Sequence, residues 1–208
     1  MQQQSKEVLP SGLLLVFWGM VATGKSYLAS ALAERYGLPY YNSDRVRKEL
    51  AGIASQGSQK EKVDQGIYTA AFSRRTYDAL LDYADKHFRK DSRSCVVLDG
   101  SYQSEKERAL LRDRFSGRVR ILFVHCTCGE AVVKERLRLR AMDSQAISDG
   151  RWEIYLAQKK RFQPVTALEQ IEVIGLDTDA PLEQLLTRIE ENIRQQGVEI
   201  GSKTSCQN

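Results

Sequence analysis

The sequence predicts an α/β fold: a five-stranded parallel sheet with helices on both faces. Three observations lead there. Five short apolar runs alternate with helical stretches along the 208 residues. The runs are continuously apolar rather than alternating, as strands covered on both faces are. A glycine-bounded loop, Gly19-Met20-Val21-Ala22-Thr23-Gly24-Lys25-Ser26, joins the first run to the first helix.

Taken in order, Leu13–Trp18 is the first strand. Ser26–Tyr36 follows as a helix with Leu28, Ala31, Leu32 and Arg35 at helical spacing, stopping before Gly37. Pro39–Asn42 reads as a short second strand. Ser43-Asp44 is an N-cap signal for a helix over Arg45–Leu50, closed by Gly52. Residues 53–62 are polar and loop-like. Residues 67–90 form a long helix whose apolar face is Tyr77, Leu80, Leu81, Ala84 and Phe88. Cys95–Leu98 is the third strand, with Asp99 at its C-terminal tip.

Ser104-x-x-Glu107 is a capping box opening a helix to about Phe115. Val119–Cys126 is the fourth strand, and Thr127-x-x-Glu130 reads as a second capping box for a helix to about Arg140. Residues 141–149 form a linker, and Arg151–Phe162 is helical up to Pro164. Ile171–Leu176 is the fifth strand. Pro181–Gln195 is the last helix, with Pro181 in its first turn and Leu182, Leu185, Leu186 and Ile189 facing inward. Alternating strands and helices imply right-handed parallel crossovers, and ligands in such sheets bind beyond the strand C-termini. Gly19–Ser26, Asp44, Asp99 and the segments after strands four and five all fall at that edge.

Gly19–Ser26 is G-x-x-x-x-G-K-S, the phosphate-binding P-loop or Walker A pattern, in strand–loop–helix context. Its glycines permit backbone torsions that a Cβ forbids, so successive N–H groups turn inward as an anion nest at a helix N-terminus. The motif assigns Gly19, Met20, Val21, Ala22, Thr23, Gly24, Lys25, Ser26 and the adjoining Tyr27 to ATP. Lys25 reaches the β- and γ-phosphates, and the Ser26 hydroxyl ligates Mg²⁺.

Asp99, ending an apolar strand, suits the second acidic residue at that Mg²⁺ site; the plainer reading is a carboxylate starting the Gly100 turn. Asp44 and Arg47 stand one helical turn apart and share a face. Transfer to a hydroxyl needs a carboxylate that accepts its proton and a group that binds the acceptor, which suits Asp44 and Arg47 respectively. Asp44 also reads as a helix cap, and the two roles are compatible. Arg136 and Arg140 share a helix face ahead of the linker, as a lid over ATP phosphates requires. A solvated basic face at a helix C-terminus is the alternative, and it suits Arg138.

Hydrophobic residues make up 42% and charged residues 28%, which fits one α/β domain over 11–196, with polar, flexible ends at 1–10 and 197–208. A net charge of +4 is too mild to argue for nucleic acid. The four cysteines form no disulfide framework, and the single residue inside Cys126-x-Cys128 is too few for zinc. They read as reduced, structural thiols. His87 and His125 carry no metal or nucleophile pattern, and Trp18 and Trp152 read as packing residues. With no long apolar segment, the expected setting is cytoplasmic, without a membrane.

Together, Gly19–Ser26, Ser43–Lys48, Val97-Leu98-Asp99 and Arg136-x-x-x-Arg140 resemble small P-loop kinases. The sequence is most similar to the AAA-type ATP-binding kinase domain often fused behind an aminoglycoside-phosphotransferase-like domain. Tyr68–Tyr77 and Ser148-Asp149 share that likeness, which spans about residues 13–195. It implies a three-layer P-loop fold with strand order 2-3-1-4-5, ATP and Mg²⁺ as cofactors, and a helical lid over about 136–152. Polynucleotide 5′-hydroxyl kinases, gluconate and shikimate kinases, and zeta toxins are related groups; Asp44 and Arg47 match the base and acceptor-binding pair of the first. Met20, Val21 and Ala22 depart from relatives that often carry a further glycine there.

Three functions follow as expectations. The preferred one is a kinase acting on a small-molecule hydroxyl, with Lys25, Asp44, Arg136 and Arg140 catalytic. A polynucleotide 5′-hydroxyl kinase is the alternative; it would need a basic channel, and no aromatic–basic interleaving supports one. A regulatory nucleotide-binding module without an acceptor is the third. No Asn-Lys-x-Asp guanine signature occurs, so ATP is preferred to GTP.

Overall fold

Strand β1 (Gly12–Trp18) is buried along its whole length and lies at the centre of the sheet. Its alternate residues feed two cores, which is why the run is apolar throughout. Leu13, Leu15 and Phe17 pack against helices α1 (Lys25–Tyr36) and α7 (Leu182–Gln195). Leu14, Val16 and Trp18 pack against α3 (Ala70–Lys90) and α4 (Glu105–Phe115). The computed structural model describes residues 12–53, 66–142, 151–169, 171–198 and 200.

The sheet has the order β2-β3-β1-β4-β5, all parallel, completed by β2 (Tyr40–Asn42), β3 (Cys95–Gly100), β4 (Val119–Thr127) and β5 (Glu172–Asp177). Register places Asp99 beside Phe17 on one side and Asn42 on the other. The tip of β3 therefore lies next to the entry of the P-loop. A smaller third core joins that loop to the remaining helices: Val21 and Ala22 meet Val133 and Leu137 of α5 (Glu130–Met142) and Tyr155 of α6 (Trp152–Arg161).

Several boundaries differ from the sequence reading. Helix α2 (Ser43–Leu50) starts earlier, and its N-cap is Asn42, whose side chain accepts from the Asp44 and Arg45 N–H groups. Ser43-Asp44 is thus the first turn, not the cap. The Ser104–Glu107 capping box is present, but the second box is not formed: α5 starts at Glu130 itself, three residues past Thr127. Thr127 ends β4, and its hydroxyl donates to the Leu176 carbonyl on β5, so sheet pairing overrides the local signal. The stretch from 67 splits into a 3-10 turn (Gly66–Tyr68) and α3, capped by Thr69. Pro181 is the N-cap of α7 rather than its first helical residue.

Val198 and Ile200, in the tail expected to fray, pack against the α1/α7 core. Residues 1–11, the expected polar loop after Ile53, residues 143–150 of the expected lid and residues 201–208 lie outside the described residues. Among the described residues, no helix is long and apolar enough to cross a membrane.

Candidate active site

The P-loop turns where its sequence permits. Gly19 has φ 144°, and a Cβ there would stand 2.4 Å from the Cys126 carbonyl oxygen. Gly24, the N-cap of α1, has φ 84°, and its Cβ would meet Thr178 Oγ1 at 2.9 Å. The first N–H groups of α1 have no acceptor within the helix and face the loop mouth. Tyr27 contributes its backbone N–H to this end of the helix, and its side chain is exposed. Met20 organises the loop interior: its carbonyl accepts from Thr23 Oγ1 at 2.8 Å and Lys25 Nζ at 3.2 Å. Ala22 holds φ 62°, in the left-handed region that a glycine occupies without strain.

The acidic side is built from the ends of β2 and β3. Asp99 is fully buried. Its Oδ2 accepts from Asn42 Nδ2 at 2.5 Å and from the Tyr40 hydroxyl at 2.9 Å. Burial, then the Asp99 charge, push the Tyr40 phenol far above its ordinary pKa, so it remains a donor. Asp99 Oδ1 is buried and accepts no hydrogen bond. Asn42 Nδ2 also reaches Ser26 Oγ at 3.4 Å, linking the Asp99 carboxylate to the P-loop hydroxyl. An orphaned carboxylate oxygen and a hydroxyl joined through the Asn42 amide are hard oxygen donors. They fit Mg²⁺, which usually takes few protein ligands and completes its shell with phosphate oxygens and water. Among the described residues, no group of three or more His, Cys, Asp or Glu could hold another metal.

Arg136 and Arg140, which share a helix face in the sequence, have different surroundings. Arg136 Nη1 donates to Thr178 Oγ1 at 3.0 Å and to the Ala22 carbonyl at 3.4 Å, and Nη2 donates to the Thr178 carbonyl at 2.8 Å. It ties the P-loop to the turn after β5. Arg140 is half-buried and feels the charges of Asp44, Asp99 and Arg136; burial, the largest influence, holds its pKa below the ordinary value. Arg138 is exposed and pairs with Glu135, as the surface reading expects. Arg47 is buried and donates to the Ile67 carbonyl at 2.8 Å and to Ser73 Oγ at 3.1 Å, fastening α2 to the start of α3.

Three positions escaped the sequence reading. Asn42 stood in plain view as a cap-forming residue, one place before the pair chosen. Thr178, whose hydroxyl donates to the Thr23 carbonyl at 2.7 Å, follows strand five at the edge where ligands bind. Gln158 on α6 accepts the Val21 N–H at 2.7 Å, and nothing local marks it.

Residues 14–165 match the model of a protein family described as an AAA domain. The chain belongs to that AAA domain family. Its sheet has the strand order that the resemblance implies. 6-Phosphofructo-2-kinase 1 of Saccharomyces cerevisiae is 30% identical over 152 residues, 65% of this chain and 18% of the yeast protein. This chain therefore spans less than a fifth of that relative. Adenylate kinase 1 of Synechocystis is 25% identical over 189 residues, covering 86% of this chain and 96% of the other. Among solved structures, a sugar kinase from Janibacter superposes with a TM-score of 0.62 at 19% identity, covering 91% and 99% of the two chains. The Mycobacterium tuberculosis APS kinase CysC, in complex with AMPPNP and APS, gives 0.61 at 16% identity, covering 89% and 99%. The AAA domain here thus has a kinase-like P-loop fold.

Proposed function

We propose that this chain is an ATP- and Mg²⁺-dependent phosphotransferase acting on a hydroxyl of a small-molecule acceptor. One observation carries the reading: Asn42 joins the Asp99 carboxylate and the Ser26 hydroxyl of the P-loop to the first turn of α2, which carries Asp44. A nucleotide binder needs one acidic residue for its metal. A second carboxylate and a cation beside it are what transfer to an acceptor requires.

In this scheme the P-loop N–H groups and Lys25 bind the β- and γ-phosphates, and Ser26 and Asp99 would hold Mg²⁺. When bound, the ion neutralises charge on the phosphate oxygens. Asp44 orients the acceptor hydroxyl and takes its proton as the new O–P bond forms and the bond to the ADP oxygen breaks. Arg140 stabilises charge on the moving phosphoryl group. Arg136 fixes the loop against the turn after β5. Arg47 supports the acceptor wall by holding α2 on α3. Its burial favours a compact acceptor over a polynucleotide, which an exposed arginine would serve better.

The test is a screen with labelled ATP against pooled metabolites and 5′-hydroxyl oligonucleotides, with Lys25→Ala as the blank. Label should pass to the metabolite fraction only. Transfer only to oligonucleotides, or release of free phosphate alone, would overturn the assignment. Asp44→Asn should bind ATP normally and lose transfer by about 10²- to 10⁴-fold. Full activity in that variant would remove Asp44 from the mechanism.

A further inference from the structure

Asn42 joins three parts of the site through one amide. It is the last residue of β2, is buried, and lies opposite Asp99 in the sheet. Its Oδ1 accepts from the Asp44 N–H at 3.1 Å and the Arg45 N–H at 3.0 Å. Its Nδ2 donates to Asp99 Oδ2 at 2.5 Å and approaches Ser26 Oγ at 3.4 Å. The chemistry permits this orientation alone. Two backbone N–H groups require an acceptor, and a carboxylate oxygen requires a donor, so a flipped amide loses both sets.

We propose that Asn42 is a positioning residue that sets the spacing between the metal side and the base side of the site. Nδ2 fixes the rotation of the Asp99 carboxylate, so that Oδ1 is the oxygen left for Mg²⁺, and keeps Ser26 in line with it. Oδ1 pins the first turn of α2, and with it Asp44, to the same strand end. The inference rests on the reading of Asp99 and Ser26 as the metal side.

The residue type follows from the two tasks. Serine caps a helix about as well as asparagine, but its side chain is one bond shorter and brings no amide to Asp99. Aspartate also caps, but it would set a second carboxylate against the first. Asn42→Ser therefore separates the tasks, keeping the cap and removing the amide donor. Hydrogen-bond partners of metal ligands typically affect metal affinity by about 10- to 100-fold.

The experiment uses the full chain and a non-hydrolysable ATP analogue, titrated calorimetrically in Mg²⁺ and in EDTA. Asn42→Ser should still unfold cooperatively, at a midpoint lowered by the donor lost to buried Asp99, and keep the wild-type affinity in EDTA. It should lose about tenfold of the affinity that Mg²⁺ adds. Amide hydrogen exchange at Asp44 and Arg45 should stay protected in Asn42→Ser and become fast in Asn42→Ala, which has no cap. A wild-type Mg²⁺ increment in Asn42→Ser would overturn the proposal while leaving the metal reading intact. Equal losses in Mg²⁺ and EDTA would also overturn it, because Asn42 would then serve only the loop or the fold. If the wild-type protein gains no affinity from Mg²⁺, the metal reading fails and takes the proposal with it.

Discussion

Ala22 shows what a single residue can cost and tolerate inside the P-loop. Its φ of 62° lies in the left-handed region, where a Cβ crowds the following carbonyl by about 1–2 kcal/mol. Its methyl is buried against Val133 and Leu137, which offsets part of that strain. Ala22→Gly should therefore leave stability nearly unchanged, since the relief of strain and the lost methyl contact oppose each other. Ala22→Val should destabilise by at least about 1–2 kcal/mol in urea unfolding, because branching at Cβ worsens the same clash. Equal stability of the valine variant would show that the loop backbone relaxes freely. The strain is visible only in the backbone angle, because nothing in the sequence around Ala22 marks a left-handed residue.

At the scale of elements, a buried ion pair locks α4 to the segment ahead of β5. Arg108 and Glu169 are both fully buried, with Arg108 Nε 2.7 Å and Nη2 2.8 Å from the carboxylate oxygens. The Arg108 guanidinium also donates to the Tyr102 carbonyl and lies 5.1 Å from the Trp18 ring centroid. Glu169→Gln leaves that cation without its counter-charge and should cost about 3–5 kcal/mol. Replacing both partners by Met and Leu should cost much less, because no charge is stranded. Urea unfolding checks both, and Trp18 emission should change in the single variant. Equal losses in the two would refute the ion-pair account.

The same scale separates what was legible from what was not. β1, the P-loop and α1 were legible because an apolar run, two glycines and helical spacing are local signals. Asp99 was legible as an acid at the C-terminal end of an apolar run, although β3 continues through it to Gly100. The α2 cap was misplaced by one residue because Asn42, Ser43 and Asp44 are all cap-forming types, and only packing chooses among them. Arg136 and Arg140 looked alike because they share a helix face; their difference comes from Thr178 and Ala22 on one side and Asp44 on the other. Gln158 meets Val21 across 137 residues, a contact with no local signature.

Across the whole molecule, the burial that assembles the sheet edge also sets the response to acid, in two windows. His125 stacks on Trp18 with centroids 4.2 Å apart, and burial, then Arg108, lower its pKa. Its folded pKa lies below the unfolded value, so the unfolded chain takes the proton first. Stability should begin to fall as pH drops below about 6.5 and level off below the folded pKa. Asp85 and Glu169 act lower. For Asp85, burial alone would raise the pKa, but hydrogen bonds from Arg118 and Arg89 pull it below the ordinary carboxylate value. For Glu169, hydrogen bonding to Arg108 is the leading cause of the same direction. Their contribution is present above the unfolded value, about pH 4, and is lost as pH falls through the folded one. Asp85 joins α3 to Arg114 of α4 and to Arg118 just ahead of β4, so protonation loosens the α3/α4 layer rather than one pair. The unfolding midpoint of wild type should therefore exceed that of Asp85→Asn at neutral pH, and the gap should close well below pH 4. A gap independent of pH would mean that Asp85 acts through shape and not through charge. In His125→Gln the loss that begins below about pH 6.5 should shrink while the lower step remains.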